Sequence, residues 1–276
     1  MRGARRGPLP GFGLALGFTL SYLGALVLLP FAALLLRALQ LTPARFWELV
    51  STPRTLAAFR LSFGAALTAA AVNLLCGLLV AWVLERYRFP GRRLLDALVD
   101  LPFALPTAVA GIALTALWDE RGWLGALVAP LGIRVANTPL GVLVALVFIG
   151  LPFVVRTVQP VLRGLEPALE EAAASLGASR RQAFARVLLP ELRPAALTGF
   201  VLALARGLGE YGSVIFIAGN LPERTEIAPL LIMIRLEEYD LAGATAIAAT
   251  FLAASLLLLF AVNLLSWRQR RRVGAA

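Results

Sequence analysis

The sequence predicts an all-α, polytopic membrane protein with six transmembrane helices, and three observations lead there. Mean hydropathy is +0.81 with only 15% charged residues, a balance unsuited to a water-exposed domain surface. Six apolar runs, at about 12–36, 56–84, 99–118, 139–155, 195–217 and 243–266, approach or exceed the roughly 20 residues that cross a bilayer as a helix. Arginine alternates between the connecting segments. Seventeen lie in the N-terminal tail, the 85–98 and 156–194 loops and the C-terminal tail, against seven in the other loops, with Arg60 and Arg206 inside spans. The positive-inside rule therefore places both termini in the cytoplasm, as an even number of spans requires.

The elements follow in order. The first span comes after Arg2, Arg5 and Arg6. Its run is longer than a signal-peptide core and lacks a small-residue cleavage site, so a retained anchor is expected. The next loop contains TPARFWELV, where Thr42 as N-cap and Pro43 at the first helical position predict a short surface helix. The second span is long enough to protrude, since a helix rises about 1.5 Å per residue against a core of roughly 30 Å. Pro102 and Pro106 at the entry to the third span predict a kink. The fourth span reads as short, bounded by Pro139 and Pro152. The loop 218–242 holds Glu223, Glu226, Glu237, Glu238 and Asp240 against two arginines, a net negative outer rim. The basic run Arg268, Arg270, Arg271 and Arg272 beside the last span marks topology and anionic-lipid contact, not nucleic-acid binding.

The fifth span carries Arg206 and Glu210, four residues apart on one helical face, among Gly207, Gly209 and Gly212. The glycines allow close helix approach. A charge at the bilayer centre costs about 2.5–3.5 kcal/mol even on insertion scales, so such residues face protein or a watery path. Two readings stand: an ion pair that fixes helix packing, or a cation that offsets a divalent anion along the path, with Glu210 holding its side chain.

Absences exclude chemistry. The 26 basic residues are all arginine, and there is no histidine. Without lysine there is no Walker A loop, whose lysine must reach the β- and γ-phosphates. Without histidine there is no HExxH zinc site and no histidine-based triad. The single Cys76 lies in an apolar run, where packing is expected over reactivity.

Against this background EEAAASLGASRRQAFARVLLP, residues 170–190, is conspicuously charged and helix-forming. Glu166-Pro167 starts a helix with proline at N1 and Glu170 and Glu171 near its positive end. Gly177 suits the left-handed position after that helix. Ser179 and Gln182 form an S-x-x-Q capping box for a second helix, expected to end near Leu189-Pro190. The product is a cytoplasmic helix–turn–helix.

The spacing of Glu171, Ala172, Ala173, Gly177, Val187, Leu189 and Pro190 resembles the EAA motif of bacterial ABC-importer permeases, with Val187 where that family has isoleucine. The runs LPFALPTAVAGIALTAL, ALARGLGEYGSVIFIAGNLPERTEIAPLLI and LEEYDLAGATAIAATFLAASLLLLF look like the T-type permease subunit of sulfate/thiosulfate importers, over roughly Leu56 to Trp267. Molybdate or tungstate permeases are the second resemblance. The resemblance implies a type I ABC-importer permease fold. It divides the chain into an N-terminal tail, anchor and outer loop at 1–55, a core transmembrane domain at 56–267 with the coupling segment 163–190, and a basic tail at 268–276. It further implies alternating access, a second homologous permease, two ATPase subunits that dock the coupling segment, and a soluble sulfate-binding protein. This chain would bind no cofactor, ATP and Mg belonging to the partner ATPase. The place would be the bacterial inner membrane. Two other classes remain: a proton-coupled secondary transporter using Glu210 as carrier, and a membrane-embedded enzyme, which would lack histidine and any evident acidic metal cluster at membrane depth.

Overall fold

The computed structural model describes residues 11–273, and every regular element among them is helical. Arg2, Arg5 and Arg6, and the end of the basic tail after Val273, lie outside the described residues. The first span is α1, Phe12–Leu39, with no buried residue in its apolar stretch. The short helix α2, Pro43–Val50, starts as expected, Thr42 accepting a hydrogen bond from the Arg45 N–H. The second span, α3, runs Pro53–Arg86, its N-terminus capped by Thr52.

The third span is not the kinked helix expected over 99–118. It is three pieces: α4, Arg92–Val99; α5, Leu101–Ala104; and α6, Thr107–Trp118. Pro102 and Pro106 each lack an N–H, and Leu105 between them adopts an extended conformation, so the hydrogen-bond ladder cannot cross. Among the described residues, five helices are therefore long and apolar enough to cross a membrane, and Thr107–Trp118 is a shorter apolar one.

The fourth span, α7, runs Pro139–Gly164, well past the expected end at 155, with Pro152 and Pro160 inside it. After α8, Pro167–Ser175, the helix that begins at Arg180 does not stop at Leu189-Pro190. It continues as α9, Arg180–Leu208, into the fifth span. A π-type stretch at Phe184–Leu188 widens the ladder just before Pro190, where its ring meets the preceding turn, and so the helix survives. The fifth span then breaks at Gly209–Ser213 and resumes as the single turn α10, Val214–Ile217. The outer segment 218–242 contains α11, Ala228–Glu237, packed on α3 and on the last helix, α12, Leu241–Val273. The backbone of α12 thus stays helical beyond 267.

The core is the contact of α3, α7 and α9. Alanines Ala58, Ala65, Ala66, Ala69, Ala70 and Ala81 lie on the buried face of α3, and glycines on α3 and α9 let both helices close on α7. A Cβ on Gly77 would sit 2.8 Å from the Val154 side chain, and one on Gly199 2.7 Å from Val154 Cα. Small residues do this work in membranes because lipid supplies no hydrophobic drive between helices. Phe59, Phe63 and Phe251 stack α12 against the outer half of α3. Cys76 lies on the exposed face of α3, not packed inside the chain as expected.

Candidate coupling segment and membrane path

The coupling segment is built by its caps. Pro167 begins α8 after the extended Glu166. Its end is a Schellman turn: Ala178 N–H donates to Ala173 O at 3.0 Å, and Gly177 N–H to Ala174 O at 2.9 Å. Gly177 takes φ +81 with open space around its missing Cβ, so its backbone conformation, not crowding, demands glycine. The expected capping box is complete: Gln182 N–H donates to Ser179 Oγ at 3.3 Å, and Ser179 N–H to Gln182 Oε1 at 2.8 Å.

Ala173 is turned inward and buried, while Glu171, Ala172 and Gly177 are exposed. Val187, Leu189 and Pro190 are half-buried at the root of α9. One feature of this surface was absent from the sequence reading: Leu169 and Leu176 are exposed, Leu176 by 89%. With Ala172 they occupy positions i, i+3 and i+7, an apolar stripe on one face of α8. Its signal was legible as two leucines among alanines, but only burial shows which face is left open.

The segment is tied to the inner end of α3. Glu170 Oε1 lies 2.8 Å from Arg86 Nη2, an ion pair without hydrogen-bond alignment. The Arg86 guanidinium stacks over Trp82 at 5.4 Å, and Trp82 meets Phe184 edge-on at 5.2 Å. Between them opens a cavity of about 600 Å³ lined by Trp82, Arg86, Glu170, Glu171, Arg180 and Phe184 among others.

Beside Arg86, Glu85 is 6% exposed and binds two arginines, Arg163 of α7 at 2.7 Å and Arg92 of α4 at 3.4 Å. Two turns back along α7 from Arg163, Arg156 is held by a cluster. Its Nε donates to Asp100 Oδ1 at 2.7 Å and its Nη2 to Asp100 Oδ2 at 2.6 Å. Nη1 reaches Asp96 Oδ1 at 2.6 Å and also Gln159 Oε1, while Nη2 meets the Asp96 carbonyl at 2.7 Å. Buried Gln159 donates its Nε2 to Asp96 Oδ1 at 3.1 Å. The sequence reading passed over these residues, because partners 56 to 63 positions apart leave no local pattern.

In the fifth span Arg206 Nη1 and Glu210 Oε2 pair at 2.5 Å. Glu210 is 1% exposed, and its other oxygen accepts from the Ser213 N–H at 2.8 Å and the Ser213 hydroxyl at 2.9 Å. One Glu210 oxygen thus holds the break Gly209–Ser213 and the other holds Arg206. Arg206 keeps 31% of its side chain exposed. The break sits against the start of α6: a Cβ on Gly111 would lie 2.8 Å from Ser213 Cα, and one on Gly212 3.0 Å from Thr107 Cβ. The two interrupted spans therefore meet at their interruptions.

Around 218–242 the exposed acidic cluster is smaller than the sequence suggested. Glu226 is buried and accepts two hydrogen bonds from Arg54, at 2.8 and 2.6 Å. Arg235 pairs with Glu238 and Asp240. Arg54 is thereby occupied inside the chain. A cleft of about 400 Å³ opens among Asp119, Glu120, Arg121, Arg134 and Asn137.

With this geometry in place, comparison with known proteins is direct. The chain is 52% identical over 265 residues to the sulfate transport system permease protein CysT of Salmonella typhimurium, covering 96% of each. It is 50% identical over 254 residues to CysT of Synechococcus elongatus, covering 92% of this chain and 91% of that protein. Among solved structures, a bacterial alginate ABC transporter in complex with an alginate pentasaccharide-bound periplasmic protein superposes with TM-score 0.74 at 19% identity, covering 92% of this chain and 93% of that one. That likeness shows the ABC-importer permease fold. Residues 73–273 match the profile of one family, which takes in α7, the coupling segment, both interrupted spans and α12. The chain belongs to the family of binding-protein-dependent transport system inner membrane components.

Proposed function

We propose that this chain is one of two permease subunits of an ATP-driven, type I ABC importer that carries sulfate or thiosulfate into the cytoplasm by alternating access. As an inner membrane component it is not itself an ATPase; ATP and Mg belong to partner subunits, and binding-protein dependence implies a periplasmic protein that delivers the cargo. The observation that carries the sulfate assignment is identity of about half along nearly the whole chain to sulfate permeases. Two ATPases would engage two coupling segments, one from this chain and one from a second, homologous permease.

In this reading the sixth crossing is the interrupted third span, and both termini are cytoplasmic. Glu171, Ala172, Ala173, Gly177, Val187, Leu189 and Pro190 serve ATPase coupling, with Leu169 and Leu176 added from their exposure. The apolar stripe supplies docking area, while Glu171, which has no ion-pair partner among the described residues, offers a charge. Closure of the ATPases on ATP draws the segments together and opens the cavity outward; hydrolysis returns it inward. Arg206 lies along the path as the cation that a dianion passes, its charge partly offset by Glu210. The basic 268–272 run contacts anionic lipid; no nucleic acid is involved.

The test is reconstitution of the complex in vesicles with its ATPase and binding protein. ATP-dependent uptake of labelled sulfate, competed by thiosulfate, is the expected result. Preferential uptake of molybdate or tungstate would replace sulfate as cargo, and uptake without ATP would overturn the importer reading.

A further inference from the structure

Both halves of the third span touch α7, but among the described residues only the inner half is ion-paired to it. The inner half, α4 and α5, is fastened to α7. Arg156 places Nε, Nη1 and Nη2 on Asp96 and Asp100, and Glu85 joins Arg92 at the start of α4 to Arg163 near the end of α7. Phe103 of α5 meets Phe153 of α7 edge-on at 5.2 Å. The outer half, α6, packs on α10 through Gly111 and Ser213, where even a methyl group has no room. Between the halves stands Leu105-Pro106, with an extended residue and a proline that has no N–H to donate.

The helix α7 is also the element that continues into the coupling segment, separated from α8 only by Leu165 and Glu166. Anything bonded rigidly to its inner end shares the movement that the coupling segment imparts. A hinge is a short stretch that absorbs a backbone rotation between two packed bodies, and Leu105-Pro106 fits that description.

We propose that Arg156 is a positioning residue that makes the inner half of the third span travel with α7 and the coupling segment as one body, bending at Leu105-Pro106 while α6 stays with α10. The device rests on the ABC-importer reading. Arginine is required because its planar fork takes both Asp100 oxygens in parallel while still reaching Asp96; a lysine ammonium has the charge without the fork.

The experiment uses the whole transporter in vesicles, with cysteines at Phe103 and Phe153 in a Cys76→Ala background and a short bis(methanethiosulfonate) linker, whose two ends each lose sulfinate to form a reducible disulfide. If the unlinked protein lacks ATP-driven sulfate uptake where the wild type has it, the cysteine pair is moved to other α5–α7 positions that keep uptake. If the wild type itself lacks uptake, the importer reading fails rather than the hinge. Given uptake, the linked protein is expected to stay within about twofold of the unlinked one, because the joined parts do not move relative to each other. Loss of uptake on linking, restored by reduction, would overturn the proposal. In the second arm Arg156→Lys is expected to assemble normally yet raise the ATP hydrolysed per sulfate moved by about tenfold or more, as mispositioning does. A purely structural role would lower complex yield and both rates together, leaving that ratio unchanged, and this result too would overturn the proposal.

Discussion

Glu170 of the coupling segment and Arg86 at the inner end of the second span approach to 2.8 Å. Their chain neighbours differ: Glu85 binds α4 and α7, while Glu171 is exposed. Two consecutive residues of α3 thus connect α8 to two further elements. The pair is partly exposed, so its own contribution to stability is small; exposed pairs are worth about 0.2–1 kcal/mol. Its significance is geometric. Glu170→Gln should leave the chain folded, and the coupling segment should become more accessible to protease in the isolated permease, as limited proteolysis would read.

Leu176→Asp should abolish recovery of the ATPase without unfolding the permease. A side chain this exposed contributes little to the fold, and surface changes usually stay within about 0.5 kcal/mol. Co-purification measures the first effect and size-exclusion behaviour in detergent the second.

At Gly177 the order of tolerance should be Gly, then Asn, then Ala, then Val. The site has space but a left-handed backbone, which costs an ordinary L-residue about 1–2 kcal/mol and a β-branched one more. ATPase activation in the assembled complex should fall in that order.

Glu210→Ala and Arg206→Gln should both destabilise the chain. Removing the carboxylate leaves the Ser213 N–H and hydroxyl without their acceptor inside the protein, and removing the guanidinium leaves the Glu210 carboxylate, 1% exposed, as an unpaired buried charge; breaking a buried pair costs about 3–5 kcal/mol. Thermal unfolding in detergent should shift downward for both, and the shift for Arg206→Gln should shrink when Glu210→Gln removes the stranded charge. With assembly intact, Arg206→Gln should weaken the apparent affinity for sulfate during uptake, and unchanged affinity and rate would remove Arg206 from the path.

Local grammar was legible in the sequence. The N-caps Thr42 and Ser179, the capping box with Gln182 and the left-handed Gly177 all stand where their residue types point, because each is decided within four residues. What escaped is decided at longer range. Pro190 looks like a helix end, yet a π-type turn accommodates it inside a helix held by the membrane core. Pro102 and Pro106 look like one kink, yet packing against two different neighbours separates the span into pieces. Arg54 and Glu226 look like outer-surface charges, yet 172 positions apart they form a bidentate pair under the outer segment.

The most direct test of the central claim is purification of the chain from its native membrane in a gentle detergent, with identification of what accompanies it. The coupling reading predicts recovery of an ATPase and a second permease, with the ATPase lost from the Glu171→Arg variant. A chain recovered alone and intact that supports anion transport in vesicles without ATP would contradict it and direct attention to Glu210 as a proton carrier.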